Sequence, residues 1–320
     1  MSPSGRNQRE KSVRNPDRVR DPASVGDVQA KLMLALLCLI WGVTWPLMKI
    51  ALNDIPPLSM RSTAAGIGAV TLLGICLVKH RSLRIRRAVD WLHVVIASLF
   101  NLVGFSLFSA FAQIATATER VAILTYAMPI WAVLLAWAVL GEHPTRMQRV
   151  AIWLCVIGLA ILIRPLAASG LPPSVLFALA TGLSWAIGTV YLKWAQIDAD
   201  PVGVASWQLT FAFFIIAGCL FIFEGRPHLE HAHAGALFAV AFTGIAGNGI
   251  AYGLWFDIVR RLSAVTASLG VLSVPVIGIV TSAVILGERP TGADIVGFAL
   301  IFAASACVIL GRPAPATVTA

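Results

Sequence analysis

Apolar residues along this chain come in blocks of about twenty, the length of an α-helix that crosses a bilayer. Ten such blocks fit the sequence, at 31–51, 57–78, 91–113, 119–140, 147–165, 172–193, 202–223, 234–256, 263–286 and 292–311. Several connections are very short, among them Asn53 to Pro56 and Gly287 to Pro290. Consecutive helices are therefore expected to be antiparallel neighbours in one bundle, with no soluble domain.

The pattern is doubled. PIWAVLLAWAVLGEHPT, Pro129 to Thr145, returns as PVIGIVTSAVILGERPT, Pro275 to Thr291, and in both the glutamate (Glu142, Glu288) follows the proline by thirteen positions. Upstream, Trp41 and Lys49 in WGVTWPLMK match Trp185 and Lys193 in WAIGTVYLK, and Pro57 matches Pro201, each pair 144 positions apart. Five helices per copy is an odd number, so the second copy must enter the membrane upside down. An inverted repeat in a membrane-grade sequence is the signature of a transporter built from two related halves.

Composition agrees: 58% hydrophobic and 12% charged residues lie far outside soluble usage. The net charge of +9 would suggest nucleic acid as a partner in a soluble domain, but here the basic residues sort by side of the membrane. Ten alternating helices put the basic residues of the N-terminal tail, Lys31, the loop Lys79 to Arg87, Arg146, Arg149, Lys193, Arg260, Arg261 and Arg312 on the side of both termini. Lys49, Arg61, Arg120, Arg164, Arg226 and Arg289 fall on the other. Both termini are expected in the cytoplasm, with the lipid bilayer as partner and no nucleic acid. Residues 1–30 lack an apolar core followed by a cleavage site and read as a disordered cytoplasmic tail. The first repeat is expected over 31–166, the second over 171–312, and a cytoplasmic tail over 313–320. Cys38, Cys76, Cys155, Cys219 and Cys307 are scattered singly in apolar segments, as small core residues are.

These features resemble the EamA family of the drug/metabolite transporter superfamily. The likeness is carried by Trp41, Gly42 and Lys49, Pro57 and Arg61, Pro129, Gly141 and Glu142, and in the second half by Trp185, Lys193, Gln208, Pro275, Gly287 and Glu288. It covers about residues 33 to 311. Two departures stand out: the second Trp-Gly is Trp185-Ala186, and Arg61 has no basic counterpart in the seventh helix. The resemblance implies an all-α, polytopic fold of ten transmembrane helices in two inverted five-helix repeats, and export of amino acids, metabolites or drugs across a plasma membrane, most simply a bacterial inner membrane.

Pro129 and Pro275 lack an amide hydrogen and clash with the carbonyls of Thr125 and Val271, which predicts kinks in the fourth and ninth helices. The freed carbonyls serve either as ligands and hinges beside a central cavity or as ordinary packing kinks. Glu142 and Glu288 invite a proton-relay role. Each, however, ends a helix against its dipole and precedes a proline suited to the first helical position, so both read as structural turns capping the amides of the fifth and tenth helices. Arg61 lies one turn into the second helix, and burying it mid-membrane costs about 2.5 to 3.5 kcal/mol. It either snorkels to the interface or, pointing inward, is the best fixed positive charge for a substrate carboxylate or phosphate. Lys49 and Lys193 end their helices, where snorkelling and the helix dipole favour them.

Trp41, Trp45, Trp185, Tyr126, Tyr252 and Trp255 lie inside apolar helices and are candidate substrate contacts. Trp41 is about 12 Å from the end of its helix, too deep for an interfacial anchor. Asn101, Gln208 and Asn248 need partners in hydrocarbon, by default another helix and alternatively the substrate. Asn248 sits among Gly244, Gly247, Gly249 and Gly253, which allow close approach.

His228, Glu230, His231 and His233 read as a solvated loop in preference to a zinc site. No P-loop and no catalytic constellation is present, so no metal, cofactor or enzyme activity is expected. The expected mechanism is alternating access to a central site for a small-molecule substrate, lined by the first, third, fourth, sixth, eighth and ninth helices. Exchange of anionic metabolites such as sugar phosphates would require several cavity bases, and a non-transporting scaffold would have no use for paired kinks. A homodimer is left open.

Overall fold

The computed structural model describes residues 22–116, 118–141, 143–167, 172–261 and 273–310. Among them every regular element is helical. In chain order these are α1 (Pro22–Asp54), α2 (Pro57–Val78), α3 (88–115), α4 in two pieces (Thr118–Thr125 and Met128–Leu140), α5 (Arg146–Ala167), α6 (Pro173–Ala195), α7 (Pro201–Phe223), α8 (234–261), α9 (Ser273–Leu286) and α10 (Gly292–Leu310). Glu142, Val271 and the two tails, 1–21 and 311–320, lie outside the described residues.

Prolines open these helices and glycines close two of them. Pro22, Pro57, Pro173 and Pro201 stand in first turns, where the missing N–H would have had no helical partner anyway. Gly141 and Gly287 follow α4 and α9 at φ +69° and +70°, a left-handed conformation that only glycine adopts without strain. α1 begins nine residues before the expected tail boundary, because Pro22 supplies a start and nothing before the apolar block stops the helix.

The packing partners follow the repeat. α2 lies against α7 and α5 against α10. α1 lies against α8 and α9 as α6 lies against α3 and α4. Each contact between the halves thus has its counterpart with the halves exchanged, as an inverted pair requires. Large apolar side chains such as Trp153, Phe214, Ile222 and Val284 point out of the bundle, where lipid covers them. Among the described residues eight helices are long and apolar enough to cross a membrane, and Ser273–Leu286 and Gly292–Ala304 are shorter apolar helices. The fold is that of a multi-pass membrane protein.

Two irregularities recur at the same place in each half. α3 widens into a π-helical turn at Leu99–Gly104 and α8 at Thr243–Ile250, again 144 positions on. Such wide turns interrupt the regular ladder and concentrate at functional sites.

Candidate functional site

A wide turn leaves a carbonyl available to an outside donor, and in both halves that donor comes from the other half. Ser184 Oγ on α6 donates to the Phe100 carbonyl of α3 at 2.7 Å. Trp41 Nε1 on α1 donates to the Gly247 carbonyl of α8 at 3.2 Å. These two junctions pin the innermost helices to the π-turns.

Trp41 is half-buried, with ring centroids 6.1 Å from Tyr252 and 6.0 Å from Trp255. Tyr252 in turn stands 6.4 Å from Trp185, which meets Phe105 edge-on at 5.1 Å. The structure therefore brings four of the six expected aromatics into one group where α1, α6 and α8 converge. Trp45 and Tyr126 lie outside it, buried in the main apolar core.

The uncharged polar residues join helices. Asn101 Nδ2 donates to Gln208 Oε1 at 3.4 Å and Ser98 Oγ to the Gln208 carbonyl at 2.6 Å, tying α3 to α7. Asn248 Nδ2 donates to the Ala64 carbonyl at 3.2 Å, tying α8 to α2.

At Pro129 the expected kink is a full break. Tyr126 and Ala127 form a turn closed by an Ala127 to Leu124 bond of 3.2 Å, and the helix restarts at Met128 with Pro129 in its first turn. The Thr125 carbonyl that the proline would have met faces Gly182 of α6, where an added Cβ would stand 2.7 Å from it. A glycine in the neighbouring helix thus makes room for the interrupted backbone. Pro275 lies in the first described turn of α9 and is buried.

Four of the expected charged residues meet partners at the end of the bundle where α1 turns into α2 and α9 into α10: Lys49, Arg61, Arg120 and Glu288. Arg61 does not snorkel: it is 6% exposed, and Nη2 donates to Ser109 Oγ of α3 at 2.7 Å. Lys49 does not serve its own helix but donates to the carbonyl of Gln113, and at 3.5 Å to that of Thr116, capping the end of α3. Glu288 caps a helix, though a different one from that expected: Oε1 accepts from the Thr118 amide at 3.0 Å, the start of α4 in the other half. The heads of α5 and α10 are met instead by Thr145 with Gln148 and Thr291 with Asp294, reciprocal boxes in which each partner serves the other's amide. Arg120 of α4 pairs with Asp294 through two bonds of 3.1 and 3.2 Å. Lys193 is exposed in the last turn of α6.

In the loop after α7, Arg226 pairs with Glu230 at 3.0 Å, and His233 pairs with Asp54. The amides of Glu230 itself and of Leu229 hold the Glu230 carboxyl below the ordinary glutamate range. No metal-ligating cluster of three forms among the described residues.

The two-half arrangement has known counterparts. The profile of the EamA-like transporter family matches residues 29–164 and again 172–310. The chain belongs to that family. Among its relatives are the uncharacterized transporter YoaV of Bacillus subtilis, 27% identical over 85% of this chain and 94% of that protein, and a probable amino-acid metabolite efflux pump of Salmonella typhimurium, 24% identical over 84% and 90%. A solved structure with a TM-score of 0.62 and 22% identity covers 88% of this chain and 96% of its own, which fixes the fold alone. The EamA-like chain is accordingly a membrane transporter and not an enzyme.

Sequence reasoning passed over Ser109, Ser184 and Gln113. Gln113 is fully buried, donates from Nε2 to the Trp45 carbonyl at 3.2 Å and leaves Oε1 without a donor. The signal was the one used for Asn101: an amide within an apolar helix needs partners.

Proposed function

We propose that this EamA-like protein is a secondary exporter of small metabolites, amino acids among them, working by alternating access to a site between its two halves. The observation that carries the reading is the crossing of the halves at the π-turns. Trp41 and Ser184 each hold a carbonyl of the opposite half, so rocking one half against the other changes the surroundings of the aromatic group they border. The name of the Salmonella relative supports amino acids as the first solutes to try. The distribution of basic residues supports both termini in the cytoplasm of a bacterial plasma membrane, with the end of the bundle that holds Arg61 and Glu288 outward.

The test is efflux of radiolabelled amino acids from proteoliposomes, with and without a pH gradient. Saturable efflux is expected, with at least a tenfold loss in Trp41→Ala, and dependence on the gradient would establish proton coupling. Wild-type efflux no faster than from empty liposomes removes amino acids, and the same assay with other labelled metabolites then decides the export reading.

A further inference from the structure

A guanidinium buried in a helix bundle is expected to meet a carboxylate, and among the described residues Arg61 meets none. Ser109 Oγ takes one of its five N–H groups, while Nε, fully enclosed, has no acceptor. One neutral hydroxyl leaves most of the cost of burying the charge uncompensated.

One helical turn further along α3, Gln113 presents the opposite defect. Its Nε2 faces the Trp45 carbonyl, which fixes the orientation of the amide, since the reverse would set two carbonyl oxygens against each other. Oε1 is then an enclosed acceptor without a donor. Ser109 and Gln113 are i and i+4 on one helix face, with Cβ atoms about 5–6 Å apart. An unmet cationic donor held at Ser109 and an unmet neutral acceptor one turn further along the same helix are complementary to one head group, a carboxylate beside an ammonium.

We infer that Arg61, Ser109 and Gln113 form the head-group site for a zwitterionic α-amino acid. The carboxylate accepts from Arg61, and the ammonium donates to Gln113 Oε1. Trp45 marks the depth of this site on α1. The aromatic group begins one turn inward at Trp41, about 6 Å along the axis, and so receives the solute's side chain. The arginine has no basic counterpart in the other half. Ala205 holds the place of Arg61 in α7, packed with Leu72, Cys76 and Val202. This inference rests on the transporter reading above and narrows it.

The experiment uses the full-length protein in proteoliposomes and three probes that share a side chain: leucine, 3-methylbutylamine, which lacks the carboxylate, and 4-methylpentanoate, which lacks the ammonium. Each competes for efflux of whichever labelled amino acid the transporter moves fastest. Leucine is expected to compete at least tenfold better than either truncated probe. In Arg61→Gln the advantage over the amine disappears while that over the acid remains, and in Gln113→Met the reverse holds. Should Arg61→Gln fail to elute as a monodisperse species, Arg61→Lys keeps the charge and is expected to retain the preference for leucine over the amine. Equal competition by leucine and the amine on the wild type overturns the site, as does efflux of other solutes with none of any amino acid. Either result leaves the transporter reading standing. Efflux of no solute at all removes both.

Discussion

The two halves agree in backbone and disagree in charge. Pro57 and Pro201 start α2 and α7, Gly141 and Gly287 end α4 and α9, and the π-turns of α3 and α8 coincide. The ends of the paired helices differ. The amides heading α7 are capped by Asp200 of the same half, which Arg81 also holds, whereas those heading α2 are capped by Glu224 of the other half. Arg61 has only Ala205 opposite it. Duplication preserves what sets helix length and crossing, because any change there disturbs both halves, and side-chain chemistry is free to diverge at single positions. Departures from the repeat are therefore the places to look for what is particular to this transporter.

The largest effect is expected where α2 crosses α8. Gly68 of α2 sits against α8, and a Cβ would stand 3.1 Å from the Gly244 carbonyl and 2.5 Å from Asn248 Cβ. Its counterpart Ala212 carries a methyl without difficulty, buried in α7. Gly68→Val should cost about 3 kcal/mol or more, the upper range for overpacking, because the Asn248 Cβ and the Gly244 carbonyl can move only with the backbone of α8. Gly218→Val, where nothing lies within 4 Å, should be close to neutral. Thermal unfolding in detergent checks both, and equal melting temperatures would show that α2 and α8 part more easily than the structure implies.

Next comes the ion pair between halves. Asp294 is 2% exposed while the Arg120 side chain keeps a fifth of its surface, so water offsets part of the loss on that side. Asp294→Asn is expected to cost about 3 kcal/mol, the low end for breaking a buried pair. Arg120→Gln should cost about as much by stranding the carboxylate. A double variant no worse than either single one is the expected sign of direct coupling, read from a double-mutant cycle.

Glu224→Gln gives a smaller loss. The amide keeps an acceptor for Leu58 or Ser59 but loses the charge at the head of α2, about 1 to 2 kcal/mol. Asp200→Asn at the head of α7 should lose a similar amount and also release Arg81. High salt should narrow the difference between the variants and wild type, since Arg81 and Asp200 are each about a fifth exposed.

How much of this was legible in the sequence follows from what each feature depends on. Helix number and limits depend on local composition, and prolines with apolar blocks mark them. The inverted pairing follows from an odd helix count. Pro129 announces a disturbance, but whether the helix bends or breaks depends on room beside it, which Gly182 supplies from another helix. Glu288 announces a cap, but nothing in its neighbourhood reveals that the amide it serves is Thr118, 170 positions away. Lys49 announces a helix end, yet the end it serves is that of α3. Arg61 was legible as a charge and not as a buried one, since burial depends on how far α3 reaches beside it.

The smallest prediction tests whether the repeat's agreement in backbone extends to energetics. Thr145 and Thr291 are the same residue in the same reciprocal box, yet Thr145 faces neutral Gln148 and Thr291 faces Asp294, already bound to Arg120. Thr145→Ala removes the cap for the Gln148 amide and should cost about 1 kcal/mol. Thr291→Ala removes the corresponding cap and also a 2.6 Å hydroxyl bond to the Asp294 carboxylate, and bonds to charged groups are worth about 1.5 to 3 kcal/mol against roughly 1 for neutral ones. Thr291→Ala should therefore be the more damaging of the two in unfolding measurements. In an Asp294→Asn background, where the box is neutral in both halves, the two costs should converge. If they are equal from the start, the charge at Asp294 is compensated by Arg120 alone, and the box at the head of α10 contributes no more than its copy at α5.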